Sequence, residues 1–257
     1  MGTANQHSEE SGEEDHCSTM IYLIGDLRVI TPHGKADWKI ARLGAHQIKR
    51  MVSYLVAKAE HPIARNDLAA IVSPNWPHIA RPSNLTSGLK QWLRKWGMLP
   101  ALIERENSMM LIRHRCWSSD TDQIEALAEQ ANEHLSNHNT SAAIHALQQA
   151  AAFCGGRYLP DYDKPDYPLT HLQTYWESFQ RDIIHRLSGL LMEHSAYSEA
   201  LKVARKLTHL GSEEASDHSI FADIFAALGS QHRANYHRRK ASDEDEDDDF
   251  PEHDTAA

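Results

Sequence analysis

From Asp120 to about Lys240 the chain is almost continuous helix-forming sequence, interrupted at intervals by glycine and proline. That restricts this half to an all-α array. Apolar residues recur at helical spacing over 121–135, 141–153, 169–193, 197–210, 213–228 and 230–240. Gly155-Gly156, Pro160, Pro165, Pro168, Gly211 and Gly229 separate the segments. Alternating helices of this length suggest stacked helical hairpins. Tyr197, Ala200, Leu201, Ala204 and Leu207, followed by Ala215, Phe221, Ala222 and Leu228-Gly229, have tetratricopeptide-type spacing, and a generic helical bundle fits the same periodicity.

The first half has a different rhythm. Ile21 and Leu23 flank Tyr22, Leu27 and Val29 flank Arg28, and Thr31-Pro32-His33-Gly34 reads as a turn. A further strand is expected from about Trp38 to Leu43, with the strands short and antiparallel. Ile48, Met51, Val52, Leu55 and Val56 mark a helix over 45–59 that stops before His61-Pro62. A short helix opens at Arg65 or Asn66 and runs through Val72, and a third covers Ser83 to Trp96. Residues 102–112 then read as two strands about an Asn107-Ser108 turn. Strands, three helices and a hairpin, in that order, describe a winged helix with an N-terminal sheet.

The third helix, SNLTSGLKQWLRKW, has two unlike faces. At about 100° per residue, Leu85, Leu89, Trp92, Leu93 and Trp96 share one stripe, and Ser83, Ser87, Lys90, Gln91 and Arg94 lie opposite. The first stripe requires a core, and the tryptophans on it are packing groups. The second contains no acid and offers donors suited to phosphate oxygens and base edges. An ordinary amphipathic surface helix has the same pattern, so the segment alone leaves both readings open. Charge placement weighs on the choice: residues 20–117 carry 15 Lys and Arg against 6 acids, inside a chain of formal net charge -10. That basic segment is the electrostatic footprint a nucleic-acid reader needs.

Other function classes lack their signatures. Cys17, Cys116 and Cys154 show no CxxC spacing, so neither a disulfide framework nor a zinc site is suggested. His134 and His138 are the one neat i,i+4 pair among 18 histidines, and they have no matching carboxylate, so no metal is expected. No glycine-rich phosphate loop and no GxSxG elbow occurs, so neither a cofactor nor an enzyme is expected. No apolar run precedes Met20 and none approaches the roughly 18 residues of a membrane span, so a cytoplasmic protein is expected. Residues 1–19 and 241–257 are acidic and poor in apolar groups, hence expected to be disordered. The SDEDEDDD run solubilises the chain or competes with DNA for the basic segment.

Several pieces in fixed order resemble the antibiotic-regulatory-protein type of bacterial transcriptional activator. They are Ile24-Gly25-Asp26-Leu27-Arg28-Val29, Arg65-Asn66-Asp67-Leu68-Ala69, and Arg81-Pro82-Ser83-Asn84-Leu85 with Leu89 and Leu93-Arg94. Asp120-Thr121-Asp122-Gln123-Ile124 resembles the start of the family's second domain, and Gly156-Arg157-Tyr158-Leu159-Pro160-Asp161 its characteristic loop. The chain departs from the family at Val72-Ser73-Pro74-Asn75-Trp76, where a Leu-Trp-Pro run is usual, and at Asn107-Ser108-Met109, where the wing usually carries glycines and a Tyr. Glu104 and Glu106 also place acids in the wing, which weakens wing-to-phosphate contact.

The resemblance implies a mainly α chain: an OmpR-like winged-helix DNA-binding domain over 20–117, then an all-α, tetratricopeptide-like bacterial transcriptional activator domain over 118–240. It implies a cytoplasmic activator that binds double-stranded promoter DNA, as a homodimer on direct repeats, and helps recruit RNA polymerase. Lys90 and Arg94 would then enter the groove, with Ser87 and Gln91 in support and Ser83 on the same face. Lys49, Arg50, Arg81 and Lys95 would lie nearer phosphates. The competing reading is a protein–protein adaptor whose winged helix no longer binds DNA.

Overall fold

The computed structural model describes residues 19–40, 43–72, 82–162, 169–211 and 213–243. Strands β1 (Thr19–Tyr22), β2 (Arg28–Thr31) and β3 (Gly34–Lys35) open the fold, followed by α1 (Ala45–Ala57), β4 (Ile63–Ala64), α2 (Arg65–Val72) and α3 (Pro82–Lys95). Then come β5 (Leu102–Glu104), β6 (Ser108–Leu111) and β7 (Trp117–Ser119). The helical half comprises α4 (Asp120–Ser136), α5 (Thr140–Phe153), α6 (Thr170–Glu193), α7 (Tyr197–Ala204), α8 (Ala215–Ala227) and α9 (Gln231–Asp243).

The strands fall into two sheets, ordered β3-β2-β1-β7 and β4-β6-β5. Alternation in β1 and β2 turns Ile21 and Val29 inward, both fully buried. On α1 the expected stripe, Ile48, Met51, Val52, Leu55 and Val56, is buried against α2 and α3. On α3 the buried stripe is Leu85, Leu89, Trp92 and Leu93, with Trp96 partly buried at its edge. That burial fixes which side of α3 remains outside.

Several sequence expectations change. Among the described residues of the expected 38–43 strand, only an isolated bridge joins Ile40 to Leu43, and the Trp38 ring stacks on Trp92, with centroids 5.0 Å apart. Leu43 then enters the space above Gly88, where a Cβ would collide with its side chain. The wing is three-stranded, because the two-residue β4 pairs with β6 through Ile63–Met109 and Ala64–Ser108. Its turn is Arg105-Glu106-Asn107 rather than Asn107-Ser108. Thr19 and Ala241–Asp243, expected in disordered ends, belong to β1 and α9. The segment 197–210 divides into α7 and a 3-10 turn at Arg205–His209. Residues 1–18, 73–81 and 244–257, including Arg81 and most of the acidic tail, lie outside the described residues.

A capping box begins the helical half: Ser119 Oγ accepts from the Asp122 N–H at 3.1 Å while Asp122 Oδ2 accepts from the Ser119 N–H at 3.0 Å. From there each helix packs on the next, and α6 also packs on α8, giving successive hairpins α4–α5, α6–α7 and α8–α9. The architecture is therefore a winged helix followed by an all-α, tetratricopeptide-like array. None of the helices among the described residues is long and apolar enough to cross a membrane.

The two halves share backbone hydrogen bonds. The expected boundary between 117 and 118 falls within β7, which runs parallel to β1. The Gly25 N–H donates to Arg157 O and the Leu159 N–H to Leu23 O, each at 2.8 Å. Gly156 permits this approach, since a Cβ there would lie 3.0 Å from Gly25 N. Behind the loop, Gln180 Nε2 donates to Gly156 O at 3.0 Å and Gln173 Nε2 donates to the Tyr158 and Leu159 carbonyls at 3.2 Å. On the facing side, the buried Asp120 carboxylate accepts from the N–H groups of Leu23 and Ile24, both at 2.9 Å.

Candidate nucleic-acid interface

The outward side of α3 carries Ser83, Ser87, Gln91, Arg94 and Lys95, all exposed, and Lys90, half-buried. No acid lies anywhere on this helix. Ser87 Oγ donates back to Ser83 O at 2.8 Å, so its hydroxyl hydrogen is engaged while its lone pairs stay available. Gln91 and Arg94 have no hydrogen-bond or ion-pair partner among the described residues. Their amide and guanidinium groups are thus open to a ligand, and both can form bidentate contacts with base edges.

The other two cations of the helix are already paired. Lys90 Nζ lies 2.7 Å from Glu104 Oε2 on β5, joining the helix to the wing. Lys95 Nζ lies 2.9 Å from Asp37 Oδ2 in the segment after β3, and 4.8 Å from the Trp96 ring centroid. The Lys95 hydrogen bond, with the Lys39 backbone N–H, holds the Asp37 carboxyl below its ordinary range. Lys90 and Lys95 therefore contribute less net positive charge to this face than the sequence suggests.

The cations expected near phosphates have different surroundings. Lys49 is half-buried, with Nζ 5.9 Å from the Trp38 ring centroid. Arg50 is buried and donates through Nη1 to Ile71 O at 3.2 Å, so it ties α1 to α2 and presents no charge to a duplex. Arg65 was not among the expected site residues, yet it sits at the junction of α2 and the wing. Its Nη2 lies 3.5 Å from Glu104 Oε1 and donates to Arg105 O at 3.1 Å, and its backbone N–H donates to Asn107 O at 3.0 Å. A basic residue opening a short helix gave no signal of these contacts, which depend on how the hairpin folds back.

Two further polar clusters lie in the helical half. Arg181 and His185 on α6 hold the buried Asp217 of α8 at 3.1 and 2.7 Å. Beside them, His218 Nδ1 and His237 Nδ1 are 3.1 Å apart, so one ring donates and the other accepts. The pair borders a cavity of about 180 Å³ with Leu201, Leu207, Phe221 and Phe225. His138 has φ 56 beyond the end of α4, so it does not share a helical face with His134. Among the described residues no group of three or more His, Cys, Asp and Glu is arranged to hold a metal ion. Burial pushes the Cys154 thiol up to about 12, which keeps it protonated and unreactive.

No family model matches the chain, and no curated protein does. A solved structure of Mycobacterium tuberculosis EmbR in complex with a low affinity phosphopeptide matches it with a TM-score of 0.71 at 16% sequence identity. The match covers 90% of this chain and 60% of that one. At this identity the likeness concerns the fold, and the fold of this chain is an EmbR-like winged helix followed by a helical domain.

Proposed function

We propose that this chain is a DNA-binding transcriptional regulator that reads duplex promoter DNA with the outward face of α3. The observation that carries the reading is an acid-free, exposed helix face with Gln91 and Arg94 unpartnered among the described residues, in the recognition-helix position of a winged helix. The EmbR-like fold supports a regulator of the antibiotic-regulatory-protein type. In this reading Arg94 and Gln91 contact base edges, Ser83 donates or accepts and Ser87 accepts at the groove wall, and Lys49, Lys95 and Arg81 approach phosphates. The helical half engages a protein partner, RNA polymerase in an activator, and two copies bind direct repeats in the cytoplasm.

The adaptor reading draws on the pairing of Lys90 with Glu104 and of Lys95 with Asp37, which reduces the charge available to DNA. Binding to random duplex DNA across a salt series separates the two. A DNA reader binds at low salt and loses affinity linearly in log salt, and Arg94→Ala weakens it. Absence of binding at low salt in the wild type removes the DNA reading and shifts the preference to the adaptor.

A further inference from the structure

We infer that Glu104 and Arg65 form a charge relay that holds Lys90 away from nonspecific DNA and releases it at a preferred site, making Glu104 a specificity-determining residue of the wing. The inference rests on the DNA-binding reading of α3. Each oxygen of the Glu104 carboxylate faces a different cation: Oε2 is 2.7 Å from Lys90 Nζ and Oε1 is 3.5 Å from Arg65 Nη2. The Lys90 contact is short and the Arg65 contact is loose. Arg65 is also anchored, because the same Nη2 donates to Arg105 O at 3.1 Å.

A second observation gives the relay a destination. Arg65 Nε is buried and has no hydrogen-bond partner among the described residues. An orphaned buried donor is costly, and a carboxylate binds an arginine best through two parallel hydrogen bonds. If Lys90 leaves, Glu104 can move onto Arg65 and supply the acceptor that Nε lacks. The carboxylate then stays neutralised beside DNA, whereas without Arg65 it would face the phosphates as a bare anion.

The consequence for recognition follows from charge. On an arbitrary sequence Lys90 gains only a phosphate contact in exchange for Glu104, so nonspecific binding is held down. Where a base acceptor lies within reach, the exchange brings a directed hydrogen bond as well. The exposed Lys90–Glu104 pair is weak enough for DNA to displace, with side chains 37% and 29% accessible.

The test uses the full chain, a short duplex of random sequence, and duplexes selected by the wild-type protein from a randomised pool. Glu104→Gln should raise affinity for the random duplex about three- to tenfold and steepen the salt dependence by about 0.9 in log–log slope. It should also lower the ratio of selected to random affinity. Arg65→Gln should weaken binding to the selected duplex in the wild-type background and cost little in the Glu104→Gln background, where no carboxylate is left to neutralise. A plain phosphate contact by Arg65 would instead cost the same factor in both backgrounds. Circular dichroism checks that each variant is folded, and Lys90→Met provides a second route, since it should abolish most of the gain from Glu104→Gln. Wild-type binding with no change in Glu104→Gln, or an Arg65→Gln loss of equal size in both backgrounds, overturns the relay. A wild type that binds no duplex at low salt removes the DNA reading and the relay together, a result distinct from either.

Discussion

Trp92 of α3 lies parallel to Trp38, with ring centroids 5.0 Å apart and planes 3° apart, and donates from Nε1 to Asp37 O at 2.9 Å. Asp37 is also the ion-pair partner of Lys95, so the segment after β3 grips α3 from its core side and its surface side. Trp92→Ala should destabilise the fold by about 3–5 kcal/mol, because it leaves a large cavity and removes the indole's bond to the Asp37 carbonyl. Urea denaturation gives the figure, and a loss below about 1 kcal/mol would show that the stack is not part of the core.

Gly88 provides a second check on that grip. A Cβ at this position runs into the Leu43 side chain, so Gly88→Ala should destabilise despite alanine's better helix propensity, by about 1–3 kcal/mol. Leu43→Ala in the same chain should recover part of the loss. Thermal melts of the single and double variants measure the coupling.

For recognition, Arg94→Ala should cost about 1–3 kcal/mol on a preferred duplex and relax discrimination at one position. Arg50→Ala should instead lower stability, because Arg50 is buried between α1 and α2. Measuring duplex affinity and melting temperature for both variants separates base reading from packing. An Arg94→Ala protein with unchanged sequence preference would move base reading away from this residue.

Asp120 predicts a pH dependence. Burial pushes its carboxyl from 3.8 up to about 6, against the opposing pull of the Leu23, Ile24 and Thr121 N–H groups. The folded chain therefore takes up this proton at higher pH than the unfolded chain. Its contribution to stability is greatest below 3.8 and is lost as pH rises through about 6. Carbon-detected NMR of the Asp120 carboxyl should show a midpoint near 6. Asp120→Asn should remove the transition and, by presenting an NH₂ to backbone donors, destabilise by about 1–3 kcal/mol at neutral pH.

His237 predicts the opposite slope. Burial, and then the neighbouring His218, lower its proton affinity, while Glu213 opposes the shift. Its contribution is full above the ordinary value of 6.5 and is lost as pH falls below it toward the folded midpoint. The ring stacks on Phe221 and Phe225, so His237→Phe keeps an aromatic ring in place. Melting temperatures at pH 7.5 and 5.5 should differ less in His237→Phe than in the wild type. An equal difference would assign the acid sensitivity elsewhere.

Helices were legible because their signal is local. The stripe Leu85, Leu89, Trp92 and Leu93 specifies both the existence of α3 and its buried side, and with them the exposed position of Ser87, Gln91 and Arg94. Pairings across the chain were not. β4 has two residues and therefore no readable period, while β7 gains its identity only from a parallel neighbour at the other end of the domain. Trp38 looked like strand sequence because a β-former that stacks on a distant indole has no local mark. The same limit governs the site: Lys90 is visibly outward, but its capture by Glu104 depends on where β5 comes to rest. Arg50 has a surface residue's chemistry and is buried because α2 happens to offer it the Ile71 carbonyl.

The parallel pairing of Thr19 with Trp117 also has a temporal meaning. The first strand must wait for a partner roughly one hundred residues later, and Leu23 and Gly25 just after it for the 157–159 loop later still, before their hydrogen bonds are complete. During synthesis, α1 to α3 can assemble while the opening sheet remains unfinished. A chain halted after the wing and before β7 would therefore expose the unpaired edge of β1, and the moment of greatest aggregation hazard lies there.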